Sequence, residues 1–84
     1  MYWFRIEVNN WTSERHRTIK RVLKNQGFEV LENILKECFW VSSTSERTEL
    51  MLPLMLDNCR VLRYDSFIAA LNSTHYKDFD QIQS

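Results

Sequence analysis

The chain has 84 residues, 44% of them hydrophobic, with a single glycine and a single proline; this excludes a disordered or fibrous chain and leaves room for one core. A chain of this size buries only roughly 60–65% of its unfolded surface, so marginal stability or help from a partner is expected. Eleven basic and eleven acidic residues cancel, against a dedicated high-affinity nucleic-acid binder, yet residues 1–27 carry a net +4 and residues 28–84 a net −4, a split that suits a polyanion at one end or complementary surfaces in an oligomer.

The first strand is written at the start of the chain. Tyr2, Phe4, Ile6 and Val8 fall on one side of a two-residue repeat, with Trp3, Arg5 and Glu7 on the other, the pattern of a half-buried strand. A helix is expected from about Ser13 to Gln26. Thr12 or Ser13 can accept a bond from an unpaired amide at its start, and Glu14 suits the positive end of its dipole. Ile19, Val22 and Leu23 form its apolar stripe, and Gly27 reads as a left-handed cap followed by a hydrophobic contact from Phe28. Arg17, Lys20, Arg21 and Lys24 recur at i, i+3, i+4 and i+7. With Arg15 they form either a solvated face or a ridge that contacts phosphates, since cations on one side of a helix sum their fields.

Two strands follow. Residues 29–35 are short and mixed, as suits a sheet edge. Residues 38–43 are denser, with Phe39 and Val41 on one side and Cys38, Trp40 and Ser42 on the other; Lys36-Glu37 is the expected tip between the two strands. Ser43 and Glu46 have capping-box spacing before a second helix. Its expected core stripe is Leu50, Met51, Leu54 and Met55, and Pro53 should kink or split it. Residues 60–64 read as the fourth strand. Asp65 is placed to cap a short helix over 66–71, whose Phe67, Ile68 and Leu71 are expected to pack onto the core. The polar tail, residues 73–84, carries Tyr76, Phe79 and Ile82 at every third position. It is either loose or exchanged with a partner subunit.

Strand, helix, strand, strand, helix, strand implies an α+β ferredoxin-like βαββαβ sandwich. Its four-stranded antiparallel sheet has two helices on one face, a short C-terminal helix follows, and residues 1–72 make the one domain. Pairing the apolar sides inward leaves Trp3, Arg5 and Trp40 on the opposite face of the two central strands. Exposed indoles mark a contact surface. A homodimer packed sheet against sheet, stacking of RNA bases, and a cover from the tail all fit that pattern.

Met1 leads straight into the strand, so no signal peptide is expected, and no apolar run approaches the eighteen or so residues of a membrane span. Cys38 and Cys59 are therefore read as reduced thiols in a cytoplasm. His16 and His75 lack partners at ligand spacing, so neither a metal nor a cofactor is expected. One glycine leaves no phosphate-cradling loop. His16 beside Arg15 and Arg17 is the only local set offering a base and a cation for metal-free ribonuclease chemistry.

The order of these elements resembles a small-nuclease group, above all in Phe39-Trp40-Val41-Ser42-Ser43-Thr44-Ser45 and Val61-Leu62-Arg63-Tyr64-Asp65-Ser66-Phe67. The group comprises the CRISPR-associated spacer-acquisition endonuclease and the GhoS-type antitoxin endoribonuclease. The resemblance implies a dimer that binds or cleaves RNA or DNA. It departs at one position: the CRISPR-associated nucleases end their first strand with a metal-binding Asp, where this chain reads Val8-Asn9-Asn10. A neutral Asn binds magnesium poorly without carboxylate neighbours. The expectation is therefore a homodimer that binds nucleic acid through the basic helix. The alternative is a protein-interaction module, such as a small phage inhibitor or a defence accessory.

Overall fold

The computed structural model describes residues 1–82. Eight elements follow in order: β1 (Tyr2–Val8), α1 (Ser13–Asn25), β2 (Val30–Asn33), β3 (Cys38–Ser43), α2 (Thr48–Met55), β4 (Cys59–Tyr64), α3 (Phe67–Leu71) and a terminal 3-10 turn (Tyr76–Gln81). The strands form one sheet in the order β2-β3-β1-β4, every neighbouring pair antiparallel. The fold is thus α+β, with an open four-stranded antiparallel sheet, compatible with a ferredoxin-like plan.

Alternation along β1 sorts the sheet into two faces. Phe4 lies beside Val41 and Arg63, and Ile6 beside Phe39 and Val61. Phe4, Ile6 and Val8 then meet Ile19 and Leu23 of α1 and Leu52 and Leu56 from α2 and its end in one buried cluster. Both long helices therefore close the same face.

Helix α1 begins and ends on local signals. The Thr12 hydroxyl accepts the Arg15 amide at 3.1 Å. At the other end the Phe28 amide donates to the Leu23 carbonyl and the Gly27 amide to the Lys24 carbonyl, with Gly27 at φ +89°. That pair of bonds is the Schellman closure, and the positive φ is why the position is glycine. Phe28 then packs against the core.

The turn between β2 and β3 lies at 34–37, with Glu37 at φ +54°. Its organiser is Asn33, whose side-chain oxygen accepts the Lys36 amide at 3.0 Å, and β2 ends at this residue, earlier than the sequence suggested.

Helix α2 corrects the expected core stripe. Thr48, Leu52 and Leu56 turn inward, whereas Leu50 is 74% and Leu54 88% exposed, with Met51 also exposed. Of the expected stripe, Met55 packs against the core, while Leu50, Met51 and Leu54 lie out of phase with it. An apolar run on every side offers hydrophobicity no preferred phase, and Ser43 fixes it by bonding the Thr48 hydroxyl at 2.8 Å. Pro53 lies inside this helix on an exposed position, and the helix ends two residues later.

The sheet's second face is the larger correction. Trp40 is wholly buried and Arg5 nearly so, and Trp3 is half-buried. The expected platform of Trp3, Arg5 and Trp40 is not open. Of the three covers the sequence allowed, the one present is the chain's own C-terminal segment: Ala70, Phe79 and Ile82 pack with Cys38, Trp40 and Tyr64. Ser66, rather than Asp65, caps α3 by accepting the Ala69 amide at 3.0 Å. Ala70 is the buried residue of α3; Ile68 is exposed, and Phe67, though partly exposed, packs on Trp3 at 5.0 Å and Phe79 at 5.5 Å between ring centres. The three-residue spacing of the tail is that of a 3-10 helix, and it directs Phe79 and Ile82 to the sheet while Tyr76 stays out. Residues 83 and 84 of the expected tail lie outside the described residues.

Candidate interaction surfaces

Six residues of α1 were candidates for contact with nucleic acid or for catalysis, and the structure divides them. Three turn inward. Arg15 donates through Nη2 to the Asp57 carbonyl at 2.8 Å, tying the start of α1 to the loop before β4. His16 bonds the Glu32 carboxylate through Nε2, stacks on Trp11 at 5.1 Å between ring centres, and tilts against Phe39 at 5.3 Å. Lys20 reaches the other Glu32 oxygen at 3.0 Å. Burial alone would raise the Glu32 carboxyl, but the bonds from His16 and Lys20 outweigh it and hold the group below its ordinary value. This arrangement fastens α1 to β2, and it spends the one histidine proposed as a base on a structural carboxylate.

The other three, Arg17, Arg21 and Lys24, are exposed. None has an acidic group within 4.0 Å among the described residues. Their i, i+4, i+7 spacing puts them on one outer stripe about 10 Å long.

The covered face contains a polar clamp that the sequence reading missed. Asp78 is buried, and its Oδ2 accepts from Arg5 Nε at 2.6 Å, Trp40 Nε1 at 2.9 Å and Cys38 Sγ at 3.6 Å. The Asn33 side chain donates to the Asp78 carbonyl at 2.8 Å, and Arg5 also approaches Glu7 at 3.1 Å. Burial works to lower the Arg5 guanidinium, but the Asp78 bond and the neighbouring charges leave it raised. Burial pushes the Cys38 thiol up to about 12, so it acts here as a hydrogen-bond donor, not as a nucleophile. No local pattern announces Asp78, since its partner lies 73 residues away.

A third surface lies along β4, an end strand of the sheet. On one side α2 presents Leu50, Met51 and Leu54, and Leu50 shares a groove with Arg63, Arg47, Glu46 and Glu49. On the other side of the sheet α3 presents Phe67 and Ile68. The run Leu50-Met51-Leu52-Pro53-Leu54-Met55 was the available signal, because a helix apolar all round needs cover on more than one side.

At the end of β1, the Asn9 amide donates to the Asn58 carbonyl at 2.9 Å, and Asn10 takes a left-handed turn at φ +55°. Among the described residues no three His, Cys, Asp or Glu side chains converge on a common point, and no helix is long and apolar enough to cross a membrane. Comparison with protein-family models, curated proteins and solved structures found no match.

Proposed function

We propose that the chain is a small cytoplasmic binding protein of ferredoxin-like βαββαβ build, resembling the GhoS-type antitoxins, that holds RNA or DNA by its phosphates along the outer stripe of α1. The observation that carries this reading is the unpaired state of Arg17, Arg21 and Lys24, while Arg15, His16 and Lys20 are engaged within the chain. Exposed cations without acidic neighbours release counterions when they meet phosphates. Three such contacts give sequence-independent binding with an affinity of roughly 10⁻⁴–10⁻⁶ M, falling with salt at a log–log slope of about 2 to 3. The narrower set replaces the five-residue ridge, because Arg15 and Lys20 would have to give up internal partners to join it.

Fluorescence anisotropy with labelled single-stranded and duplex oligonucleotides at several salt concentrations tests the reading. Reversal of Arg21 and Lys24 to Glu should weaken binding for every sequence and cut the slope by about two units, with the circular dichroism spectrum unchanged. No binding by the unaltered chain at low salt would remove the reading. The second reading, a protein-interaction module, is favoured by the exposed Leu50 and Leu54 of α2. In that case the two reversals would leave function untouched.

A further inference from the structure

We infer that the β4 edge is a self-pairing surface, on which two copies of the chain join β4 to β4, antiparallel, about a two-fold axis. The two ends of the sheet differ in how they are guarded. β2 is four residues long, carries the inward-facing Glu32 and Asn33, and is overlaid by α1 on one face and the terminal turn on the other. Short length and inward polar groups are the means by which edge strands avoid pairing. β4 is six residues long and pairs with β1 along its whole length. Its other row of backbone donors and acceptors has no partner among the described residues.

The flanks of this edge point to a second copy as the occupant. The cations of β4 are already neutralised within the chain: Arg60 lies 3.7 Å from Glu7, and Arg63 lies 3.2 Å from Glu49 and 3.3 Å from Asp65. Two identical edges can therefore approach without net repulsion, and the edge offers no uncompensated charge to select a charged partner. The strand is also self-complementary in register. Residues opposite one another across an antiparallel pair share a face. Arg60, Leu62 and Tyr64 lie on the face of the C-terminal cover, and Val61 and Arg63 on the helix face. A two-fold axis at Leu62 sets Leu62 against its own copy, Arg60 against the partner's Tyr64, and Val61 against the partner's Arg63. No like charges meet directly, and a cation faces an aromatic ring. The same axis brings α2 toward its copy on one side and α3 toward its copy on the other, covering exposed Leu50, Leu54 and Ile68. The apolar patch of α2 alone, on a helix about 12 Å long, falls well short of the ~800 Å² per partner of a stable interface. Strand edge and both flanks together supply the missing contact.

Light scattering on the full chain across a concentration series tests the pairing. A mass of twice the 10.2 kDa of one chain is expected. The substitutions Leu50→Lys and Leu54→Lys, on side chains that hold nothing in the single chain, should return it to one chain with an unchanged circular dichroism spectrum. Register is tested by Leu62→Cys in a Cys59→Ser background. Across the axis the two new cysteines fall within disulfide reach, so mild oxidation should give a covalent dimer on a non-reducing gel, whereas Arg60→Cys in the same background should not. A monomer at every concentration overturns the proposal. So does a dimer that ignores the paired lysines, or one that fails to cross-link at position 62 while its spectrum shows the variant folded.

Discussion

The two faces of the sheet are closed by different chemistry. On one face Phe4, Ile6, Val8, Phe39 and Val41 meet two helices through apolar contact. On the other, a short helix and a 3-10 turn are fastened by one carboxylate that gathers donors from Arg5, Cys38 and Trp40. Apolar packing spreads its stabilisation over many weak contacts and tolerates exchange of one aliphatic group for another of similar volume. A buried ion pair does the reverse. It adds little net stability over an apolar substitute, but removing one member leaves the other charged and unpartnered.

The largest effect should come from breaking the clamp. Asp78→Ala leaves the Arg5 guanidinium buried without its strongest partner, at a cost of about 3–5 kcal/mol, a large part of the ~5–15 kcal/mol that holds a domain together. Urea unfolding followed by tryptophan emission should show the lower midpoint, and the emission of Trp40 should move to the red as its cover loosens. A midpoint equal to that of the unaltered chain would mean that the second face is held by Phe79 and Ile82 alone.

A smaller effect separates inward from outward positions on α2. Leu52→Ala should cost about 2–5 kcal/mol, because Leu52 is wholly buried in the helix-face core. Leu54→Ala, two residues on and 88% exposed, should stay within about 0.5 kcal/mol when measured at concentrations too low for pairing. Equal losses at the two sites would overturn the phase described for this helix.

The smallest effect is the polar exception on the helix face. Glu32 has its carboxyl held below its ordinary value by His16 and Lys20. A depressed folded value means that its contribution is present above the unfolded value, near pH 4.5, and is lost as pH falls through the folded one. The stability advantage of the unaltered chain over Glu32→Gln should therefore hold at pH 6 and shrink between pH 5 and pH 3, measured by urea midpoints. A difference that is flat through that range would show that the carboxylate charge is immaterial.

Local signals wrote much of the helix face. The alternation of β1, the Thr12 cap, Gly27 at positive φ and the contact of Phe28 were all legible, since each depends on residues within one or two turns. The basic character of α1 was legible as well. The division of its cations was not, because Glu32 claims Lys20 from a strand twelve residues away. The phase of α2 was hidden by a run that is apolar on all sides. The covered face was the least legible part: a cover from the tail was one of three readings of Trp3 and Trp40, but nothing in that polar segment marked Asp78 as its anchor. The free edge of β4 is a property of sheet order, which no single strand records.

The clamp also has a consequence in time. Arg5 and Asp78 stand 73 residues apart, and a loop of that length is slow and entropically costly to close. β1, α1, β2 and β3 all precede Asp78 in the chain and are made before it. Until Asp78 docks, Trp40 and Cys38 lack their shared acceptor and Arg5 has only Glu7 of its own strand beside it. While that loop is open the second face lacks its clamp, and its aromatic side chains are the kind of surface that chaperones bind and that neighbouring chains can aggregate on. Docking of the segment that carries Asp78 ends that stage.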